Sequence, residues 1–398
     1  MNNPSNIKPW AVILVASVIL AITMASRQTA GLFVAPISAS TGLSVVSISF
    51  ALAIAQIVWG IAQPVFGIVA DHKGFYGVIA LGGLLLAAGL GLTTLSDEPW
   101  SLVLSMGILS AAGAGAGSFS LLFGAVAQLL PVKRRAFAGG FINAGGSFGQ
   151  FIFAPMLQLI ISDFSWVAAM LTMAAVTLIT IPLGSFMRVG KSETESAQHG
   201  AQQAGLMHHL RQALVDPSYL CLNAGFFTCG FHIAFLITHF PGEIALCGHT
   251  ASVSAAAISI IGLFNIAGSL FVGIISNRFR MKYILAVLYG SRAAMIVVYL
   301  LAPKTQLTFY VFAASLGFTW LATVPPTAGL VGKLYGARYL ATLFGLTLFT
   351  HQVGGFLGAW LGGLAVHHDG NYMWMWYADV ALAALAALVN LPIRERRV

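Results

Sequence analysis

Gly67-Ile-Val-Ala-Asp71-His72-Lys73-Gly74 separates two long apolar runs, and a second copy of its pattern follows 206 residues later as Gly273-Ile-Ile-Ser-Asn277-Arg278-Phe279-Arg280. Two further landmarks repeat at nearly the same distance. Pro36 and Pro241 are 205 residues apart, and Arg135 and Arg338 are 203 apart. Three such offsets in a chain of 398 residues indicate a duplicated unit. The surroundings say what kind of unit. Hydrophobic residues make up 58% of the chain and charged residues 8%, with a mean hydropathy of +0.89. Soluble domains carry about 25% charged residues, so a cytosolic enzyme, a disordered chain and a nucleic-acid binder are excluded. The net charge of +8 comes from 19 scattered Lys and Arg, the densest run being Lys133-Arg134-Arg135.

A helix needs about 20 apolar residues to cross a bilayer. Cutting at charges and turn residues gives twelve runs, at 10–37, 45–70, 76–95, 101–130, 137–160, 166–187, 218–240, 252–276, 283–302, 307–331, 340–366 and 372–392. They are too long and continuous for the alternating strands of a membrane barrel. The expected fold is an all-α membrane protein, twelve transmembrane helices in two pseudo-symmetric six-helix bundles. Trp10, Trp100, Trp166 and Trp374 fall near run ends, as an aromatic belt requires. Glycines in runs four, five and eleven suit close helix approach, and Pro325-Pro326 should kink or break run ten.

Loop charges set the orientation. With the N-terminus in the cytoplasm, sixteen Lys and Arg lie inside and Lys304 alone lies outside; Arg27 and Arg292 lie within runs. Both termini are therefore expected in the cytoplasm, in a multi-pass protein of the inner membrane. The polar stretch Arg188–Asp216 reads as a cytoplasmic linker, with a short helix expected over Met207–Leu214. The expected units are thus an N-terminal bundle over 1–187, the linker over 188–216 and a C-terminal bundle over 217–398. Parallel six-helix repeats of this kind occur in transporters that bind cargo between the halves.

Gly67-x-x-x-Asp71-x-x-Gly74, in the loop after the second run, resembles the signature of the major facilitator superfamily, and the likeness extends over twelve runs, the repeat and the linker. Phe75 and Tyr76 stand where that family has basic residues, and the second copy carries Asn277 in place of the acid. Three stretches resemble its bacterial branch related to monocarboxylate and oxalate–formate carriers: Arg27–Pro36, Thr238–Pro241 and His351–Gly358. The arginine that animal monocarboxylate carriers hold in run eight is absent, as is the lysine of oxalate carriers in run eleven, where His351 stands nearest. The resemblance implies alternating access, with runs one and seven facing the path and runs nine and twelve outside it. It assigns Gly67, Asp71, Gly74, Arg135 and Arg338 to gating.

Ionisable groups within a bilayer are costly and mark function by default. Three fall in the runs: Arg27, Arg292 and Asp379, with no Asp or Glu inside runs one to eleven. Arg27 lies about 28 Å from Lys8 along a helix, past the midplane. Its charge calls for an anion or water, and a substrate carboxylate is expected to supply it; the alternative is snorkelling or bonding to carbonyls. The repeat offset places His232 opposite Arg27, so both are assigned to the substrate site with Gln28, His351, Gln352, Asn143, Asn265 and Trp320. His239 is expected at the outer mouth as a gate. Arg292 and Asp379 are expected to pair structurally. Gln56, Ser118, Gln150 and Thr319 complete a possible polar path.

No cofactor, metal, nucleic-acid partner or catalytic constellation is expected. The expected activity is secondary active or facilitative transport of a small organic anion, a monocarboxylate, with protons as possible co-substrate and the chain as a monomer. Two rivals stand: a carrier of larger amphipathic compounds such as drugs or siderophores, and a non-transporting membrane sensor.

Overall fold

The computed structural model describes residues 9–130, 132–187, 210–276, 278–335 and 340–395. The first run is two helices, α1 (Pro9–Gln28) and α2 (Gly31–Thr41), parted at Thr29–Ala30. Then come α3 (Val45–Lys73) and α4 (Phe75–Thr93). Gly74 joins them directly at φ +92°, a backbone that other residues rarely adopt, which gives the motif's last glycine its reason. Run four is segmented into α5 (Pro99–Leu102), a π-helix over Val103–Ser110, α6 (Ala111–Ala116) and α7 (Phe119–Leu129). The half closes with α8 (Val132–Asp163), α9 (Trp166–Leu178) and α10 (Thr180–Gly184).

A short helix, α11, is described over residues 210–215, within the expected 207–214 and one residue beyond; the rest of the linker lies outside the described residues. The second half consists of α12 (Pro217–Leu246), α13 (Ala251–Ile275), α14 (Met281–Leu301), α15 (Gln306–Thr319), α16 (Val324–Tyr335), α17 (Leu340–Asp369) and α18 (Met373–Asn390).

The packing repeats as the sequence does. In the first half α1 packs on α8, α3 on α6 and α4 on α9. In the second, α12 packs on α17, α13 on α15 and α14 on α18. Run for run these are the same pairings. Across the halves the main contacts are α3 with α17 and α8 with α13, which the repeat again interchanges. One buried apolar cluster holds only residues from Ala213 to Ile393. Large apolar side chains point outward, Leu159 and Val287 among them, at 62% and 69% exposure. Such a surface belongs in lipid.

Among the described residues eleven candidate spans meet both length and apolarity. The twelfth expected span, α17, has 30 residues but is less apolar. His351, Gln352 and a series of glycines dilute it, and protein covers it on both sides, from α12 and α3. The expected absence of acids from runs one to eleven fails at run seven. α12 runs on to Leu246 and carries Glu243 inside the helix, buried and accepting a 2.7 Å hydrogen bond from the Tyr299 hydroxyl. Of the four belt tryptophans, Trp166 is buried, so it packs on protein rather than at an interface.

Runs four and ten are broken at matching heights. α6 ends before Gly117 and Ser118, and α15 ends before the stretch 320–323. Pro325 and Pro326 remove two donors and explain the second break. Side chains satisfy the freed backbone. Thr23 donates to the Gly117 carbonyl at 2.9 Å, and Arg292 donates to the carbonyls of Thr319 and Trp320.

Candidate functional site

Arg27 is the last residue but one of α1, just before the interruption that lets α2 turn away. Its guanidinium donates to Gln56 Oε1 at 2.8 Å and lies 3.8 Å above the Trp59 ring. Gln56 and Trp59 are three residues apart on α3 and so share a face. Both partners are neutral, and among the described residues no carboxylate reaches Arg27 within 4 Å. The cation is held in place by a neutral amide and a π face, and its charge is left uncompensated.

A cavity opens at this guanidinium. It is lined by Ser26, Arg27, Thr29 and Gln56 at one end, by Ile237 and Thr238 from α12, and by Leu86, Leu90, Met106, Met170 and Met173 deeper in the first half. Arg27 is the only charged residue among the lining residues. About 50 Å³ is open to the centre of a water molecule. The halves close over it at Gly31, where a Cβ would sit 2.1 Å from the Ile237 carbonyl oxygen. Only glycine allows α2 and α12 that approach.

The structure separates other residues that the sequence groups with Arg27. His232 is fully buried and pairs through Nδ1 with Asp379 Oδ2 at 2.5 Å, its ring edge-on to Trp320. It faces α18 and the centre of its own half, and it does not line the cavity. Trp320 is buried with it. Asn265 bonds three ways: to Ser147 of α8 at 2.8 Å, from the Leu321 amide at 3.0 Å and from Ser269 at 3.2 Å. Its polar atoms are used up in joining α13 to α8 and to the break in run ten. Gln28 is buried with Oε1 unbonded, outside the cavity lining. Asn143 is half-buried on α8 and also outside the lining.

The expected Arg292–Asp379 pair does not form. Arg292 is spent on the two carbonyls of broken run ten and reaches Cys229 Sγ at 3.5 Å. Asp379 is taken by His232. His239 is likewise no exposed gate. Its Nε2 donates to the Ala359 carbonyl at 2.7 Å, which clamps α12 to α17 within one half.

His351 and Gln352 lie where α17 meets α3. Gln352 packs against Gly60, bonds to His351 Nδ1 at 3.1 Å and keeps Oε1 unbonded. Gly355, one turn on, abuts Gln56. The pair therefore neighbours the residue that holds Arg27 without lining the cavity itself. Of the gating set, Gly67 meets nothing within 4 Å at its Cβ position, Gly74 makes the turn, and the side chains of Asp71, Arg135 and Arg338 lie outside the described residues. Trp59 is the member that sequence reading missed; its only signal is its position three residues after Gln56.

The chain is 25% identical over 392 residues to monocarboxylate transporter 13 of Rattus norvegicus, covering 96% of this chain and 89% of that one. It is 24% identical over 346 residues to the uncharacterized MFS-type transporter YhjX of Escherichia coli strain K12, covering 86% and 84%. The crystal structure of a D-xylose-proton symporter superposes with a TM-score of 0.79 at 15% identity, over 98% of this chain and 99% of that one. A family model described as Major Facilitator Superfamily matches residues 16–359. With that match, the repeated helix pairings and the shared fold, the chain belongs to the Major Facilitator Superfamily.

Proposed function

We propose that this transporter carries a small organic anion, a monocarboxylate, by alternating access between its two halves, and that Arg27 holds the carboxylate. One observation carries this reading: the only charge lining the central cavity is a guanidinium whose protein partners, Gln56 and Trp59, are neutral. Arginine presents a planar fork that matches a carboxylate. The rat relative is named for the same class of substrate. The small cavity favours small cargo over large amphipathic compounds. The bias of the loop charges supports both termini in the cytoplasm and α2 toward the outside of an inner membrane. The end closed by Gly31 is then the outer one.

His232, Trp320 and Asn265 take structural roles in this reading, and Gln56 and Trp59 replace them at the site. The test is uptake of labelled lactate, pyruvate, formate and oxalate by purified protein in liposomes across a pH step. Saturable uptake that Arg27→Ala abolishes is expected. Full uptake by Arg27→Ala removes the assignment, and no uptake of any acid by the wild type removes the function.

A further inference from the structure

The cavity does not stop at Arg27. Past the guanidinium it extends between α3, α4, run four and α9, into the interior of the first half, where its lining turns apolar: Leu86, Leu90, Met106, Met170 and Met173. All five are buried. Most of the lining belongs to the first half, and Ile237 and Thr238 alone come from the second. Run four is π-helical here. Val103–Ser110 carries the wider turn, and Ser110 Oγ donates to the carbonyl of Ser105, five residues back, at 3.0 Å. Met106 and Ser110 on this segment, with Ala111 after it, form one wall of the chamber. Single π-turns recur at functional sites because they displace side chains that a regular helix would stack.

We infer that this chamber is a tail pocket, so that the carried acid is an unsubstituted short-chain aliphatic monocarboxylate, its carboxylate on Arg27 and its alkyl chain among Met106, Met170 and Met173. The inference rests on the carboxylate assignment to Arg27 and adds the other end of the molecule. Size agrees. A water needs roughly 10–15 Å³, so the 50 Å³ of the whole cavity, Arg27 end included, holds about three to five waters, the scale of a small acid. Chemistry agrees as well. The hydroxyls of Ser26 and Thr29 already donate to the carbonyls of Thr23 and Ala25 on their own helix. A polar group at the far end of the cargo would meet Leu86, Leu90, Met106, Met170 and Met173, which offer it no donor, and burying such a group unpaired is costly. Methionine side chains adapt to different chain shapes.

The test is competitive uptake in liposomes with labelled acetate, butyrate, hexanoate, lactate and oxalate. The wild type is expected to gain about fourfold in apparent affinity per methylene from acetate to butyrate, and to take lactate and oxalate at least tenfold more weakly than butyrate. Ala111→Leu fills the chamber and should lower the butyrate-to-acetate ratio at least fivefold. Met173→Ala enlarges it and should move the optimum to hexanoate. If Ala111→Leu does not reach the membrane, Met173→Ala decides alone. A chain-length ranking unmoved by these variants, or a wild type that prefers lactate or oxalate, overturns the tail pocket. Loss of uptake in Arg27→Gln together with a flat ranking in the wild type overturns the chamber alone; retained uptake in Arg27→Gln with the ranking intact overturns the carboxylate assignment alone.

Discussion

Arg27 of α1 and Gln56 of α3 are joined by a 2.8 Å hydrogen bond in which a permanent cation rests on a neutral amide. Replacing that amide by an acid gives the guanidinium an anion of its own. Gln56→Glu should therefore raise the apparent KM for carboxylate uptake at least tenfold, since the cargo must displace a charge-assisted pair. Measured in liposomes, a KM equal to the wild type would mean that Arg27 does not meet the cargo.

Gly31 sits where α2 and α12 touch across the halves, with no space for a methyl group. Gly31→Ala should disfavour the closed outer end by about 1–3 kcal/mol, a typical overpacking cost. Because the clash exists only when that end is shut, the balance shifts toward opening. A cysteine placed by Thr238→Cys, facing Gly31, should then react at least tenfold faster with an impermeant maleimide in the Gly31→Ala background. Equal labelling rates would contradict closure at this contact.

Arg292 is fully buried and completes the broken end of α15 by bonding to the Thr319 and Trp320 carbonyls. Arg292→Leu leaves both acceptors without a donor in an apolar interior. A loss of about 3 kcal/mol is expected, in the range for removing charged hydrogen bonds, read as a lower melting temperature in detergent. Arg292→Lys should recover part of it. A melting temperature unchanged in Arg292→Leu would show that the break needs no cap.

Glu395, beyond α18, ties the C-terminal end to α14 and α16. Its carboxylate accepts from Lys333 Nζ at 2.8 Å and from the amides of Met281 and Lys282 at 3.2 and 3.1 Å. Burial alone would raise its pKa, but the hydrogen bonds outweigh it and hold the group below the usual carboxylate range. A folded pKa below the unfolded one adds stability above the ordinary glutamate value, about 4.3. That stability is lost as pH falls through the folded value. The melting-temperature gap between wild type and Glu395→Gln should thus be full at neutral pH and shrink below about pH 4.3. A constant gap would deny the linkage.

Sequence reading reached the fold because a bilayer demands apolarity over a fixed length, and that demand is written residue by residue. It singled out Arg27 for a related reason, since a cation among apolar neighbours stands out. It could not place His232. The repeat offsets of 203 to 206 give a height in the membrane but not a rotation. One residue of uncertainty turns a helix side chain by about 100°, enough to carry His232 from the central path to Asp379. Asn265 misled in another way. A polar side chain inside a span looks the same whether it waits for a ligand or ties helices together, and only its three bonds tell. Glu243 was hidden by a boundary drawn at Pro241, a residue that α12 simply absorbs.

α17 holds a last consequence. A crossing interrupted by His351, Gln352 and its glycines has a weaker stretch at its middle than the other spans have. Flanked by α12 and α3 it is at home, because they and not lipid are its solvent. During synthesis this segment must therefore be received by helices made before it, so the assembly of the chain is completed from its oldest parts.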